Sequence, residues 1–356
     1  MGNNDHLPGW SGASVCPLPL TSHATVQLAH GSGGRMSAEL VAKFFQPRFT
    51  NPILDRLEDQ AVLPRPNGRL AFSTDTFVVD PLFFPGGSIG DLAVNGTVND
   101  VCMCGATPQY LSAGFVLEEG LPLETLHRIL IDMEKAARQA GVAVVTGDTK
   151  VVPRGSCDKI FINTSGLGLV PDGLELTAAA LKVGDKIIIS GTVADHGMAV
   201  MTCRQGLSFQ SGITSDTAAL NGLVREMLQV SWGIRAMRDP TRGGLAAILN
   251  EFAAASGKGL VVEREQVPLR SEVAAACEIL GIDPLNVANE GKLVVFVAPD
   301  AAENLLAIMR RHPQGREATV IGEVVGAHPS LVAVKNGLGT LQILEMPLGE
   351  QLPRIC

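Results

Sequence analysis

Four short acidic stretches mark the first half of the chain: EDQAVLP with Asp59, STDTFVV with Asp75, NGTVNDVCMCG with Asp100 and VVTGDTKVV with Asp148. A single aspartate at a strand end is ordinary turn chemistry. Four of them, each beside small residues, also suit Mg²⁺ bridging nucleotide phosphates, because this ion keeps several waters and takes few carboxylates from the protein. The stretch HGSGG, residues His30, Gly31, Ser32, Gly33 and Gly34, precedes the helical pattern RMSAELVAKFF. Glycines let backbone N–H groups turn toward an anion, and the start of a helix favours negative charge. Neither GxxxxGK[ST] nor GxGxxG can be laid over it, so a nucleotide held here is held in another way.

The second half offers MRDPTRGGLAAIL, where Asp239, Arg242 and two glycines open an apolar helix, and VANEGKL, with Glu290 ahead of a strand. The first fits either a capped helix start or a phosphate contact across a domain interface. The second fits either an exposed turn or a proton acceptor. Lys150 follows Asp148 by two residues, so on an extended segment both project to one face and an ammonium stands beside a candidate metal ligand. The chain ends EMPLGEQLPRIC, on the thiol of Cys356. Termini fray unless something ties them down, and Pro347 and Pro353 exclude helix there. The eleven residues from Met346 reach about 36 Å when extended, enough to bring a thiol into a cleft of its own or a neighbouring subunit.

These residues need elements to hold them. From Val26 to about Val170, apolar strands (RLAFSTD, YLSAGFVL, VAVVTGD, KIFINTSGLGLV) alternate with helical patterns. The clearest helix is PLETLHRILIDMEKAARQAG: Pro122 suits its first turn, Leu126, Ile129, Leu130, Met133 and Ala137 form one face, and Gly141 supplies a left-handed stop. A second unit begins near LKVGDKIIISG and closes with the strand ANEGKLVVFVAP and the helix DAAENLLAIMRRH. The pattern predicts a flexible extension over 1–25, an α/β or α+β domain over 26–170, a second α/β domain over 171–340 and an extended tail over 341–356. A chain of 356 residues with 46% hydrophobic content suits two domains. Its net charge of -8 argues against a general binder of nucleic-acid phosphates. Runs such as KLVVFVAP fall short of the roughly 18 apolar residues of a membrane span, and the start lacks a basic and apolar leader, so a cytoplasmic protein is expected. Cysteines at 16, 102, 104, 157, 203, 277 and 356 show no paired spacing, as in a reducing compartment. Cys102 and Cys104 make half a zinc site at best and read as packing residues.

Taken together, HGSGG, TDTFVV, NGTVNDVCMCGATP, GDTKVV, DPTRGG, ANEG and the terminal PRIC resemble the HypE family of hydrogenase maturation proteins. That family lies in the superfamily of aminoimidazole ribonucleotide synthetase, thiamine monophosphate kinase and selenophosphate synthetase. The resemblance runs from Val26 to the end, and the terminal cysteine separates this branch from its relatives. Gln60 stands where relatives often place a second acid, and the residues before Val26 lie outside the pattern. The resemblance implies a two-domain fold like aminoimidazole ribonucleotide synthetase, ATP in the interdomain cleft, Mg²⁺ beside it, and a homodimer formed through the first domain. It implies an ATP-dependent carbamoyl dehydratase: a HypF carbamoyltransferase loads Cys356, the thiocarboxamide is dehydrated to a thiocyanate, and the cyanide passes through a HypC–HypD complex to the iron of a [NiFe] hydrogenase. On this reading Cys356, Lys150 and Glu290 carry the chemistry. His30 to Gly34, Asp75, Thr76, Asn95, Asp100, Asp148, Thr149, Asp239 and Arg242 hold the nucleotide, with Asp59, Asp75, Asp100 and Asp148 as metal ligands. Two other readings compete. A selenophosphate synthetase or similar phosphotransferase would want a reactive cysteine near the glycine loop, where only Cys16 is at hand; a non-catalytic docking scaffold would have no use for four metal-type carboxylates.

Overall fold

The computed structural model describes residues 23–204, 212–349, 352 and 354–356. The first unit opens with α1 (Arg35–Leu40) and α2 (Gln46–Phe49), joined through a π-turn at Val41–Phe45. There follow β1 (Arg69–Phe77), the short pair β2 (Phe83–Phe84) and β3 (Gly87–Ser88), α3 (Ile89–Cys102), β4 (Thr107–Glu118), α4 (Leu123–Ala140), β5 (Ala143–Val152) and β6 (Ile160–Val170). The four long strands form one sheet in the order β1-β6-β4-β5, parallel at β4–β5 and antiparallel elsewhere.

α4 follows its periodicity: Leu126, Ile129, Leu130, Met133 and Ala137 are buried, and Gly141 ends the helix at φ 71°. Gly141 thereby takes the left-handed position that glycine accepts without steric cost. α3 is apolar on most of its circumference because the sheet lies on one side of it and the second unit on the other, so Asn95, Thr97 and Asn99 are buried along with Leu92 and Val98. Among the described residues the opposite face of the sheet is left open at β1, with Leu70 and Phe72 (69% exposed) beside Thr74 and Thr76.

The second unit contains β7 (Lys186–Ile189), α5 (Asp195–Arg204), α6 (Asn221–Met227), β8 (Ile234–Arg238), α7 (Gly244–Ser256), β9 (Gly259–Glu263), α8 (Ser271–Leu280), β10 (Val294–Val297), α9 (Pro299–Arg311), β11 (Thr319–Val325), β12 (Val332–Lys335) and β13 (Leu341–Ile343). Its seven strands run β13-β12-β9-β11-β7-β10-β8, and β12–β9 is the one parallel pair of that sheet. Both faces are covered. Val294 and Phe296 of β10 pack with Leu249 and Phe252 of α7, while Val295 and Val297 pack with Leu305 and Met309 of α9. Two buried faces are why this strand reads as an unbroken apolar run rather than an alternation.

The two units share a core. Met198 of α5, Val273 of α8, Leu352 and Ile355 belong to the same apolar cluster as Leu92 and Phe77. Residues 1–22 of the expected extension lie outside the described residues, but order begins before Val26: Ala24 accepts a backbone bond from Leu123, and Thr25 bridges to Pro122. The chain's end, expected as an extended tail, is docked. Leu352, Ile355 and Cys356 are buried, because an apolar slot between α5 and β1 receives them. Among the described residues no helix is long and apolar enough to cross a membrane.

Candidate active site

The sheet distributes the predicted site residues into two groups. The first lies along the edge strand β5. His30 and Gly31 close a 3₁₀ turn beside it, so near that a Cβ on Gly31 would stand 2.6 Å from the backbone nitrogen of Val151. Ser32, Gly33 and Gly34 then lead into α1, with Gly33 N–H donating to Ser37 Oγ at 2.9 Å. A cavity of about 460 Å³ opens between this turn and β5. Phe45, Phe49, Leu57 and Phe115 give it an apolar floor, and Asp148, Thr149 and Lys150 form its polar rim. Lys150 Nζ lies 3.0 Å from Asp148 Oδ2, both side chains largely exposed. The bonded ammonium of Lys150 holds the Asp148 carboxyl below its ordinary value. His30 is mainly structural: its Nδ1 accepts from Gln27 N–H at 2.9 Å, and burial keeps its imidazole below the usual value.

The second group lies in the cleft between the units. Asp75 on β1 faces α3, and Arg242 approaches it from the second unit at 3.9 Å. Asp100, at the end of α3, accepts from Ser73 Oγ at 2.8 Å. Asp239 and Glu290 are both buried, and among the described residues Asp239 Oδ2 and Glu290 Oε1 have no hydrogen-bond partner. Burial foremost, then the neighbouring Asp100, raises Asp239 to about 7. Burial followed by Asp216 and Asp239 raises Glu290 well above the carboxylate range, and burial raises Asp75 and Asp100 as well. An exposed turn for Glu290 is thus excluded. It sits before β10 on a loop clamped by Asp216, which accepts from Glu290 N–H at 3.1 Å, Gly291 N–H at 3.3 Å and Lys292 Nζ at 3.1 Å. Only glycine fits at 291, where a Cβ would fall 1.8 Å from the Asp216 carbonyl. Asn95 Nδ2 donates to Thr217 Oγ1 at 3.2 Å, and Asn99 Nδ2 to the carbonyls of Ala218 and Glu290, so α3 is tied across the cleft.

The chain's end docks nearby, between α5 and the end of β1. Val78 N–H donates to the Cys356 carbonyl at 3.1 Å and Asp80 N–H to that of Arg354 at 3.2 Å, extending β1 antiparallel on its free edge. Arg354 pairs with Asp158, and His196 Nε2 lies 2.6 Å from the Ile355 carbonyl. The Cys356 backbone thus pairs three residues along the chain from Asp75, about 10 Å away.

The expected convergence of Asp75, Asp100 and Asp148 on the glycine loop is not found within one chain. β1 and β5 are opposite edges of the sheet, so Asp75 and Asp148 are about three strand spacings, or 14 Å, apart. They also face opposite sides: Asp148 shares its cross-strand row with Gly114, Asn163 and Thr76 on the outer face, where Asn163 Nδ2 donates to Thr76 Oγ1 at 2.9 Å. Lys150 is likewise more than about 14 Å from Cys356. Asp59 stands on an exposed loop, two residues past Leu57 of the cavity wall. Among the described residues no three His, Cys, Asp or Glu side chains gather around one metal position. Sequence reasoning missed Asp216, Lys292, His196, Ser215 and Ser73: Ser73 and Lys292 lie inside the quoted stretches STDTFVV and VANEGKL without being singled out, and DHG at 195–197 and SDT at 215–217 lie in stretches without periodicity.

Comparison with known proteins accounts for this layout. Residues 57–170 match the N-terminal domain of AIR synthase related proteins, and 182–334 the C-terminal domain. The chain is 51% identical over 336 residues to the carbamoyl dehydratase HypE of Rhizobium leguminosarum bv. viciae, covering 94% of this chain and 96% of that one. A crystal structure of the hydrogenase maturation protein HypE in complex with ATP superposes with TM-score 0.89 at 48% identity, over 93% of this chain and 99% of that one. The corresponding chain of a HypE–HypF complex gives 0.77 at 46% identity, over 88% and 100%. The two-domain fold and the acidic and glycine motifs therefore have one explanation: the chain belongs to the carbamoyl dehydratase HypE family of hydrogenase maturation enzymes.

Proposed function

We propose that the protein dehydrates a carbamoyl group carried as a thiocarboxamide on Cys356 to a thiocyanate, consuming ATP and supplying the cyanide ligand of [NiFe]-hydrogenase iron. The observation that supports this reading is the docking of the terminal Cys356 on Val78, three residues along the chain from Asp75 of the acidic cleft. A carboxamide oxygen leaves poorly and a phosphate leaves well. In the reaction the thiocarboxamide oxygen takes the γ-phosphoryl group with loss of one N–H proton. The C–O bond then breaks with loss of the second, leaving S–C≡N, phosphate and ADP. Glu290, buried in the cleft with Oε1 left without a partner among the described residues, accepts a nitrogen proton as its carboxylate. Arg242, mostly exposed at the mouth of the cleft, pairs with phosphate oxygens.

The unpartnered Asp239 Oδ2 and the carboxylates of Asp75 and Asp100 fit a hard cation that takes one or two protein carboxylates and fills its shell with water and phosphate. When bound, Mg²⁺ spreads the charge of the transferring phosphoryl group.

Lys150 and Asp148 are too far from Cys356 to act on it in the same chain. The uncovered sheet face with Leu70 and Phe72 supports a homodimer in which the β5-edge group of one copy serves the cleft of the other. A HypF-type carbamoyltransferase loads the thiol and a HypC–HypD complex receives the cyanide, in the cytoplasm. The test is the intact mass after incubation with the carbamoyltransferase, carbamoyl phosphate and ATP. The wild type should gain a carbamoyl group and then lose one water; a chain that loads but keeps that water with ATP present would refute the assignment.

A further inference from the structure

Besides its buried apolar side chains and the Arg354–Asp158 pair, the docked end is gripped along its main chain. Its carbonyls accept from Val78 and Asp80 N–H, the Arg354 carbonyl also accepts from Arg204 at 2.7 Å, and Leu352 lies against Gly197, where a Cβ would come within 3.3 Å of it. The innermost of these contacts comes from His196. This residue is fully buried on α5, its ring set edge-on to Phe84 with centroids 5.3 Å apart.

A carbonyl can only accept, so His196 Nε2 carries the hydrogen donated to Ile355 at 2.6 Å, and Nδ1 is the acceptor for Ser215 Oγ at 2.8 Å. Ser215 Oγ in turn accepts from Thr217 N–H at 3.1 Å, and Ser215 N–H donates to the Pro85 carbonyl at 2.7 Å. The tautomer and the ring plane are thereby fixed from both sides. The next two residues reach the chemistry: Asp216 clamps the Glu290 loop, and Thr217 meets Asn95 on α3.

We propose that His196 is a positioning residue for the dehydration, holding the thiol-bearing end in the cleft through the Ile355 carbonyl, in a seat that the segment 215–217 registers to Glu290 and α3. Because the grip is on backbone atoms, it is the same whether the sulfur is free, carbamoylated or cyanated, as a shuttling carrier requires. The proposal rests on Cys356 being the carrier.

The test is alkylation of the folded full chain by iodoacetamide without nucleotide, quantified at Cys356 and at the exposed Cys203 by peptide mass spectrometry. His196→Ala should alkylate Cys356 about tenfold faster with Cys203 unchanged, since a buried acceptor stripped of its donor loses on the order of 1.4 kcal/mol, or a factor of ten. His196→Gln keeps an N–H donor and should return to within about threefold of wild type. With a loaded tail, thiocyanate formation should fall in His196→Ala by a similar factor while loading does not slow. Equal alkylation in wild type and His196→Ala, a Gln variant as fast as Ala, or unimpaired dehydration in His196→Ala would overturn the proposal. Should His196→Ala not fold, Ser215→Ala frees the ring with less disruption, and an unchanged Cys356 rate there overturns it equally. Failure of the wild type to dehydrate its loaded tail would sink the carrier reading alone, because the alkylation needs neither ATP nor loading.

Discussion

Asp239→Asn should make the nucleotide-free protein more stable at pH 8 while removing its grip on Mg·ATP. Asp239 is 7% exposed, one of its oxygens has no partner among the described residues, and burial with Asp100 nearby raises it to about 7, against an unfolded value near 3.9. The folded chain therefore keeps a proton that the unfolded chain gives up. The stabilisation is complete below about pH 4 and is lost as pH rises through about 7. At about 1.4 kcal/mol per pH unit, the wild type should lose on the order of 2.7 kcal/mol between pH 5 and 7 at this position, and little more above. Asparagine has no such slope. Asp75, Asp91, Asp100, Asp132 and Glu290 are also raised, burial being the first cause for each, but they titrate in both proteins. Neutralising Asp239 also removes one of the charges that raise Glu290, which adds to the effect in the same direction. Urea unfolding followed by circular dichroism, without nucleotide, should place the two proteins within about 1 kcal/mol at pH 5 and Asp239→Asn ahead by about 2–3 kcal/mol at pH 8. A variant no more stable than wild type at pH 8, or a gap that does not widen with pH, would refute the reasoning.

Cys356→Ser should fold and bind ATP yet take up no carbamoyl group; modification mapped to Cys203 instead would count against the carrier assignment. Glu290→Gln should load normally and accumulate the thiocarboxamide, its conversion slowed by ~10² to 10⁴ as for a lost general base, measured as persistence of the mass one water heavier. Lys150→Ala should behave alike, and mixing it with Cys356→Ser should restore conversion in mixed dimers if Lys150 serves the neighbour's tail; conversion that stays absent after subunit exchange would exclude that arrangement. Gly31→Val places a Cβ 2.6 Å from Val151 nitrogen; it should cost about 1–3 kcal/mol of stability and weaken Mg·ATP binding in calorimetry, and an unchanged affinity would remove the HGSGG turn from the nucleotide site.

The local pattern by itself determined much of this protein. The 3.6-residue stripe of α4 and its Gly141 stop, the strand-length apolar runs and the turn glycines are set by neighbours a few residues apart, so they are legible before any fold is known. The chemistry-bearing residue types were legible too, because few purposes other than phosphate and metal handling combine such acids and glycines with a terminal thiol. What the tertiary structure decided is where those residues meet. Strand order put Asp75 and Asp148 on opposite edges and opposite faces of one sheet, and strand order depends on pairings between residues far apart in sequence. Burial of Glu290 followed from Asp216, 74 residues away, and docking of Cys356 from Val78 and His196. A terminal segment with two prolines announces that it is not helical, but whether it stays in water depends on a slot built by α5 and β1, two elements from different domains whose apposition no local periodicity encodes.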